Sequence, residues 1–484
     1  MTELKDKTVS GLKWSAIERL FTQGIQLVIM LLLANKLGPQ AFGLIGMLAI
    51  FISIAQVFVD SGFSSALIRK VNRQEVDFST AFLFNVFVAV VSYIVIYLAA
   101  PKIANFYNQP ELKEIARYMS LVILSNSFTM VPRTKLTIKM DFKSQAKVSI
   151  ISVVLSGVTA LYMAYNGFGV WSLVVQTLLS SIFSVILINV FCPWKPAVKF
   201  SLESFRYLFG FGGKILISGL MEAIYNNLYQ VIIGKKFDAV HLGYFTQANQ
   251  LSSIPAMTIS NIIQRVTYPL FCEIQEEAKQ MEDSYMLALK SSAAVTFLAM
   301  CCLSAIATPF MVIFLGPGWE GAGVLVSILA IGYMLYPIHA INLNILYVKG
   351  RSDIFLKVDI IKKIIGLVLL MLTLPFGVTY MCWGIVAHSY ISLVVNMYCT
   401  KSVSKYSILQ QFKCMSTIWL FAIFSLVLTK YISIVYIHSL LMQLLFSVFF
   451  LPGLCMILMY YLERDFFTML VVIVKKQSPF GKSK

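Results

Sequence analysis

The chain alternates between long apolar segments and short charged ones. A helix that crosses a bilayer needs about 20 mostly apolar residues, and about fourteen segments meet that length. Of the 484 residues, 58% are hydrophobic and only 13% are charged, and the core of a soluble protein of this size could not bury so many hydrophobic residues. The pattern predicts an all-α polytopic membrane protein with spans at 14–35, 41–62, 79–100, 112–131, 147–166, 170–191, 211–233, 244–264, 287–308, 322–345, 358–375, 382–400, 416–436 and 439–461.

Lysine and arginine collect in every second connecting segment. With the N-terminus inside, the cytoplasmic segments hold 29 of these cations and the opposite loops hold 6. Short loops rich in Lys and Arg stay cytoplasmic, so an even span count with both termini inside is predicted. The net charge of +17 is spread between apolar segments and forms no single basic face, which argues against nucleic acid as a partner and leaves anionic lipid headgroups as a secondary one.

Other composition features exclude simple alternatives. The eight cysteines include no CxxC pair, so neither a disulfide framework nor a metal site is predicted, and no cofactor is expected. The apolar run after Lys13 reaches Asn35, which is too long for a signal-peptide core and is interpreted as the first span.

A basic hinge at residues 131–147 has a counterpart about 210 residues later. The first hinge carries the cations Arg133, Lys135, Lys139, Lys143 and Lys147, and KMDFKSQAKVSII aligns with KGRSDIFLKVDII. At similar offsets Gly43 aligns with Gly243 and Trp171 with Trp383. The agreement in order and spacing predicts an internal repeat.

Six spans in each repeat give the two halves the same orientation. This arrangement predicts an N-terminal lobe at 1–195, a C-terminal lobe at 196–410, and two further spans with a cytoplasmic tail at 411–484. Transporters built in this way bind substrate near the midplane, at the interface between the repeats.

Four segments carry a resemblance to a known family. They are FGLIGMLAIFISIAQVFVDSGFSSALIRK (42–70), RTKLTIKMDFK (133–143), GFGVWSL (167–173) and FLGPGWEGAGVLVSILAI (314–331). With these segments the chain resembles the Wzx-type flippases of lipid-linked oligosaccharides, in the polysaccharide transporter branch of the multidrug/oligosaccharidyl-lipid/polysaccharide exporter superfamily. The hinge departs from the denser arginine cluster expected of relatives, because lysines and Thr137 take those places.

The resemblance implies two six-helix lobes in a V around a central cavity lined by spans 1, 2, 7 and 8. It implies undecaprenyl-diphosphate-linked glycan as cargo, and the bacterial inner membrane as location. The polymerase and chain-length proteins of the same pathway are the partners it suggests.

Polar side chains form stripes on two spans that the repeat relates. Span 1 presents Arg19, Gln23 and Gln26 on one helical face, and span 7 presents Glu222, Asn226 and Gln230. A diphosphate and its sugars need such cations and hydrogen-bonding groups along a wet path. These residues are therefore candidates for substrate binding.

Three cations could bind the diphosphate. Arg19 lies roughly 9 Å into its helix, and its planar guanidinium suits phosphate oxygens. Pairing with Glu18 or snorkelling to the surface remains open for Arg19, and a topology anchor remains open for Lys214. Lys363 is also a candidate, with a helix pair to Asp359 as its alternative.

Two intramembrane carboxylates are candidates for ion coupling. Glu222 lies near the middle of span 7, where an unpaired carboxylate tends to be neutral, and Asp60 lies at the end of span 2. A structural pair between Glu222 and Arg19 or Lys214 stays open. His339 and His388 stand alone on apolar helices and are interpreted as packed side chains.

Enzyme functions fit poorly. The chain has no GxxxxGK[ST], HExxH or GxSxG motif, since GFGGKI at 210–215 lacks the spacing and the hydroxyl of a P-loop. The prediction is a non-enzymatic flippase working by alternating access, with ion-gradient coupling. A cation-coupled multidrug exporter and a membrane glycan polymerase or transferase are the alternatives.

Overall fold

The computed structural model describes residues 2–197, 199–401, 406–464, 466 and 468. Within these residues the fold is helical without strands, which confirms the predicted all-α class. The helices are α1 (Thr2–Asp60), α2 (Phe63–Arg69), α3 (Glu75–Tyr107), α4 (Leu112–Met119), α5 (Leu121–Ile138), α6 (Phe142–Tyr165), α7 (Trp171–Phe191), α8 (Leu202–Lys236), α9 (Ala239–Glu273), α10 (Ala278–Leu315), α11 (Glu320–Tyr333), α12 (Tyr336–Val348), α13 (Ser352–Thr373), α14 (Val378–Thr400), α15 (Ile408–Tyr436) and α16 (Leu440–Leu462).

Each predicted span falls on helix. In the described part of the chain, ten helical segments are long and apolar enough to cross a membrane. One of them, Lys13–Arg69, contains the first two predicted spans, which are separated by a kink at Gly38 (φ 72°). The predicted fourth, eighth and eleventh spans coincide with α4–α5, α9 and α13.

The contacts divide the chain into two compact units, up to Thr246 and from Gln247 onward. In the first unit α1 packs against α3, α6 and α8, and α6 packs against α7. In the second, α10 is the centre, packed by α11, α12, α15 and α16. The lobe boundaries predicted from the repeat (1–195, 196–410 and 411–484) stay predictions.

Helices α1 and α9 cross at two glycines. A Cβ on Gly43 would lie 1.7 Å from the carbonyl oxygen of Ala239, and a Cβ on Gly243 would lie 2.0 Å from that of Pro39. Each glycine thus faces the residue four positions before the other, so the contact is reciprocal. These are the glycines that the repeat alignment paired, and only glycine permits backbones to approach this closely.

The hinge between α5 and α6 is a tight turn. Met140 has a positive φ of 57°, and Asp141 then caps α6 by accepting hydrogen bonds from the backbone N–H of Ser144 (3.0 Å) and from its hydroxyl (2.7 Å). An aspartate in this position satisfies donors that a helix start leaves open. The hinge predicted from charge is thus a sharp connection between two helices.

The tenth predicted span consists of two helices. Helix α11 ends at Tyr333 and α12 begins at Tyr336, with a turn at Met334 and Leu335. The backbone N–H of Leu335 reaches the Gly332 carbonyl at 3.4 Å, a long hydrogen bond for a helix. Met334 and Leu335 both keep helical backbone angles, so α11 and α12 lie in one membrane-spanning segment, Pro317–Val348.

Candidate functional site

Two adjoining cavities open in the first unit, and they share Gln56, Asp60 and Asn126. The first, about 500 Å³, is bounded by the end of α1 and by Ile215, Leu216 and Gly219 of α8. The second, about 440 Å³, lies between the end of α1, α2 and α5 and is richer in polar groups. Its lining consists of Gln56, Val59, Asp60, Ser64, Ile68, Asn126, Thr129, Met130, Arg133, Thr134 and Thr137.

Hydrogen bonds fix the polar groups where the cavities meet. The amide of Asn126 donates to Gln56 Oε1 at 2.9 Å and so ties α5 to α1. Ser64 donates to Asp60 Oδ1 at 2.9 Å and ties α2 to the same end of α1. Both acceptors are half-buried, so their orientation is set by neighbours rather than by bulk water.

Arg133 supplies the positive charge of the second cavity. Its side chain is exposed, and its Nη2 contacts the hydroxyl of Ser149 at 3.3 Å. Ser149 donates in turn to Glu18 Oε1 at 2.6 Å. A neutral hydroxyl thus stands between Arg133 and the acid, which leaves the guanidinium fork suited to an incoming anion.

Three other cations of the first hinge have aromatic or acidic neighbours outside this cavity. Lys135 contacts Glu75 at 2.7 Å and lies over the rings of Phe78 and Trp194. Lys143 lies 5.6 Å from the ring centroid of Trp14, and Lys147 the same distance from that of Phe191. Cation–π contacts of this kind suit anchors at the membrane surface.

The second hinge differs from the first. Arg351 binds Asp353 through two hydrogen bonds of 3.0 Å, and Lys349 donates to the carbonyl of Gln275. These bonds from Arg351 lower the pKa of Asp353 to about 2, so the carboxylate stays ionised at physiological pH and neutralises its partner. The aligned hinges therefore offer different charges.

The polar side chains predicted to form stripes on α1 and α8 lie mostly at the surface of the first unit. Arg19, Gln26, Lys214, Glu222 and Asn226 are exposed, whereas Gln23 and Gln230 are half-buried. Helices α1 and α8 pack against each other within this unit. The substrate and ion-coupling roles of these residues stay predictions.

Contacts bear on two alternatives that the sequence left open. Glu18 accepts a hydrogen bond from the hydroxyl of Ser149, and the role of Arg19 stays a prediction. Lys363 lies 2.8 Å from Asp359, one helical turn away, so the helix pair forms. Asp60 is the predicted site residue that lines both cavities.

Several lining residues escaped the sequence analysis. Asn126, Thr129 and Thr134 of α5 were missed although they stand at i, i+3 and i+8 on one helical face together with Arg133, which was interpreted as a cation of the basic hinge. The signal that could have identified them is proximity to the end of span 2, where Gln56 and Asp60 already formed a polar face.

Comparisons with known proteins agree with this architecture. The chain is 27% identical to the teichuronic acid biosynthesis protein TuaB of Bacillus subtilis, over 73% of this chain and 74% of that one. It is 24% identical to the lipopolysaccharide biosynthesis protein WzxC of Escherichia coli, over 74% and 73%. Among solved structures, the lipid II flippase MurJ in an inward closed conformation superposes with a TM-score of 0.76 at 15% identity, covering 94% of this chain and 99% of that one.

The MurJ likeness supports the fold of a polytopic helical transporter. A second comparison shows the family, since residues 32–323 match the family described as polysaccharide biosynthesis protein. This match covers more than half of the chain and includes α2 to α10, the kink of α1 and the first hinge. The chain therefore belongs to the polysaccharide biosynthesis protein family.

Proposed function

We propose that this protein is a flippase that moves a lipid-linked oligosaccharide across the membrane. The observation that carries the proposal is the family match over residues 32–323, together with relatives named for teichuronic acid and lipopolysaccharide biosynthesis. These names concern polysaccharides, and the membrane-type helices of the described residues suit transport of a precursor. The two cavities of the first unit lie among apolar helices and are lined in part by polar side chains, which can form hydrogen bonds with a glycan.

The carrier lipid in this proposal is undecaprenyl diphosphate, and the cargo moves from the inner to the outer leaflet by alternating access. The protein spans the bacterial inner membrane with both termini in the cytoplasm. The basic hinges support this orientation, because Lys and Arg of short loops remain cytoplasmic. Polymerase and chain-length proteins would receive the cargo on the other side.

Arg133 is the residue that we assign to the diphosphate at the cavity of the first unit. A guanidinium binds phosphate oxygens through parallel hydrogen bonds, and the exposed side chain of Arg133 is accessible to a headgroup. Arg19, Gln23 and Gln26 of α1, with Lys214, Asn226 and Gln230 of α8, would bind the cargo further along its path. Lys363, which lies 2.8 Å from Asp359, stays a proposed member of this set.

Glu222 and Asp60 are assigned to ion coupling. An ionised carboxylate inside a membrane costs free energy unless it binds a proton or a cation. The fraction of the carboxylate that holds a bound ion therefore depends on the ion gradient. Asp60 lines the same cavity as Arg133, so a proton or cation there would change the field felt by a diphosphate. The transport itself leaves the covalent structure of the glycan unchanged.

Deleting the gene tests this function in the native bacterium. We expect a lipid-linked glycan unit to accumulate, and to be shielded from reagents that reach only the outer leaflet. Re-expression of the protein should remove the accumulation. If no lipid-linked glycan accumulates, or if the accumulated unit is an incomplete sugar chain, the flippase assignment is wrong and a transferase takes its place.

A further inference from the structure

A groove of about 470 Å³ lies between α4 and α7 of the first unit. Its lining consists of Glu114, Tyr118, Trp171, Val174, Val175 and Leu178. None of these six residues lines the two cavities around Asp60. The α4–α7 groove is therefore separate from the cavities to which the cargo is assigned.

The groove is polar at one end and apolar at the other. Helices α4 and α7 both begin after loops that are expected on the outer side of the membrane, and Glu114 is the third residue of α4 while Trp171 is the first of α7. Three aliphatic side chains follow on one face of α7, and the last of them, Leu178, lies roughly 10 Å further along the helix. The groove thus runs from a polar mouth toward the apolar layer of the bilayer.

Helix α7 lies at the side of the first unit. Within the unit it packs against α6 and α5, with smaller contacts to α4 and α1. The segment Trp171–Phe191 is apolar enough to span a membrane, yet only 22% of its apolar window is buried inside the protein. Exposed apolar side chains of a membrane span pack against lipid chains, so an acyl chain can enter the deep end of the groove.

The mouth of the groove combines a carboxylate with two aromatic rings. Tyr118 and Trp171 meet edge to face, with ring centroids 5.3 Å apart and planes at 82°. Glu114 lies one turn before Tyr118, and its side chain is 49% exposed. A carboxylate attracts an ammonium by charge, and aromatic rings attract it through their negative faces. This mouth therefore suits an amine headgroup.

Arg117 adds an opposite charge beside Glu114. Its Nη1 donates to Glu114 Oε1 at 3.1 Å, and its Cζ lies 4.5 Å from the ring centroid of Tyr97 on α3. Arg117 uses one of the two carboxylate oxygens, so Oε2 can accept a hydrogen bond from an ammonium. Two opposite charges one turn apart match a zwitterion, whereas a lipid with the same phosphate but no amine would leave Glu114 without a cationic ligand.

We propose that the α4–α7 groove binds one phospholipid with an amine headgroup. The ammonium lies at Glu114 against the two rings, the phosphate lies toward Arg117, and one acyl chain follows α7 as far as Leu178. Aromatic rings with a carboxylate could also bind a sugar, but the aliphatic side chains in the depth of the groove offer a sugar no hydrogen bonds. The lipid ties α4 to α7, and its binding does not depend on what the protein transports.

Native mass spectrometry of the whole chain in detergent tests the headgroup preference. Dioleoyl phosphatidylethanolamine and dioleoyl phosphatidylglycerol, which have the same chains, would be added in equal amounts. We expect one tightly held phosphatidylethanolamine per protein, in preference to phosphatidylglycerol. Glu114→Gln should weaken phosphatidylethanolamine binding by about tenfold, because the ammonium loses a charge-assisted hydrogen bond, and should leave phosphatidylglycerol binding unchanged.

Glu111→Gln is the matched control. Glu111 is an exposed acid just before α4 that does not line the groove, so the variant removes the same charge and should bind phosphatidylethanolamine as the parent protein does. Val175→Trp fills the groove and should abolish phosphatidylethanolamine binding although Glu114 is present. Equal binding of the two lipids by the parent protein, or equal effects of Glu114→Gln and Glu111→Gln, would mean that lipid contacts here are unselective and would overturn the proposal.

Photocrosslinking tests where the lipid lies. A phosphatidylethanolamine with a diazirine in one acyl chain would be mixed into liposomes that contain the protein and then irradiated. We expect adducts on the part of α7 that includes residues 174–178, reduced several-fold in Val175→Trp. Adducts spread evenly over the exposed helices contradict the site, and retention of a soluble oligosaccharide in place of the lipid would assign the groove to a glycan instead.

Discussion

Among the residues of the first hinge, Arg133 combines an exposed guanidinium with a place in a polar cavity. Charge counting gave all five hinge cations the same role, since each adds equally to the positive-inside asymmetry. The contacts separate them, because Lys135 is held by Glu75 and two rings, whereas Arg133 contacts the hydroxyl of Ser149. This difference between the cations depends on side-chain contacts between helices, which the order of residues in the sequence does not show.

Arg133→Gln should reduce glycan export by about tenfold or more while leaving the protein at its normal level in the membrane. The reason is the loss of a charge-assisted, two-pronged contact with the diphosphate. Lys139→Gln removes the same charge from the same hinge outside the cavity lining and should leave export near normal. Export would be measured as surface glycan in a deletion strain carrying each variant, and equal losses from both variants would reduce Arg133 to a topology anchor.

Glu222→Gln should abolish the dependence of transport on an ion gradient and leave folding intact. Glutamine keeps the size of the exposed side chain but cannot gain or lose a proton. The measurement is glycan export in cells, with the melting temperature of the purified variant as a check on folding. Normal export by this variant would remove Glu222 from the coupling mechanism.

At the scale of elements, the crossing of α1 and α9 depends on two small residues. Gly43→Ala should destabilise the protein by about 1–3 kcal/mol, because the added Cβ would lie 1.7 Å from the Ala239 carbonyl oxygen and force the helices apart. Gly243→Ala should act in the same way from the other side. Thermal unfolding in detergent measures both effects.

Gly24→Ala is the matched control on α1. A Cβ there meets nothing within 4 Å, so this change should alter stability by less than about 1 kcal/mol, in the direction of greater helix stability. If the changes at Gly43 and Gly243 are as mild as the change at Gly24, the close crossing is absent from the protein in solution.

The elements show which parts of the structure the sequence predicts well. Hydropathy and loop charge place a helix at each expected span, because these signals extend over about twenty residues. The turn at Met334 and Leu335 leaves no trace in hydropathy, and its local signal is Pro337 in the first turn of α12. The polar contacts of α14 were also missed, although His388, Ser392 and Asn396 stand at i, i+4 and i+8 on one helical face.

At the scale of the whole molecule, the distribution of cations determines orientation. Both termini, the first hinge and the second hinge are expected in the cytoplasm, and the segments around Lys36, Lys102 and Lys235 are expected outside. Reporter domains fused after residue 140 and after residue 350 should be active only as cytoplasmic reporters. Fusions after residues 109 and 237 should behave as exported ones, and the opposite result at either pair would invert the membrane topology.

Translocation by the purified protein is the most direct test of the flippase account. A lipid-linked oligosaccharide isolated from the deletion strain would be placed in both leaflets of liposomes, and an enzyme that degrades only outward-facing sugar would be added. Without the protein about half of the lipid should stay protected, and with the protein nearly all of it should become accessible, intact in its covalent structure until the enzyme acts. A protected half that persists in the presence of folded protein would contradict the account.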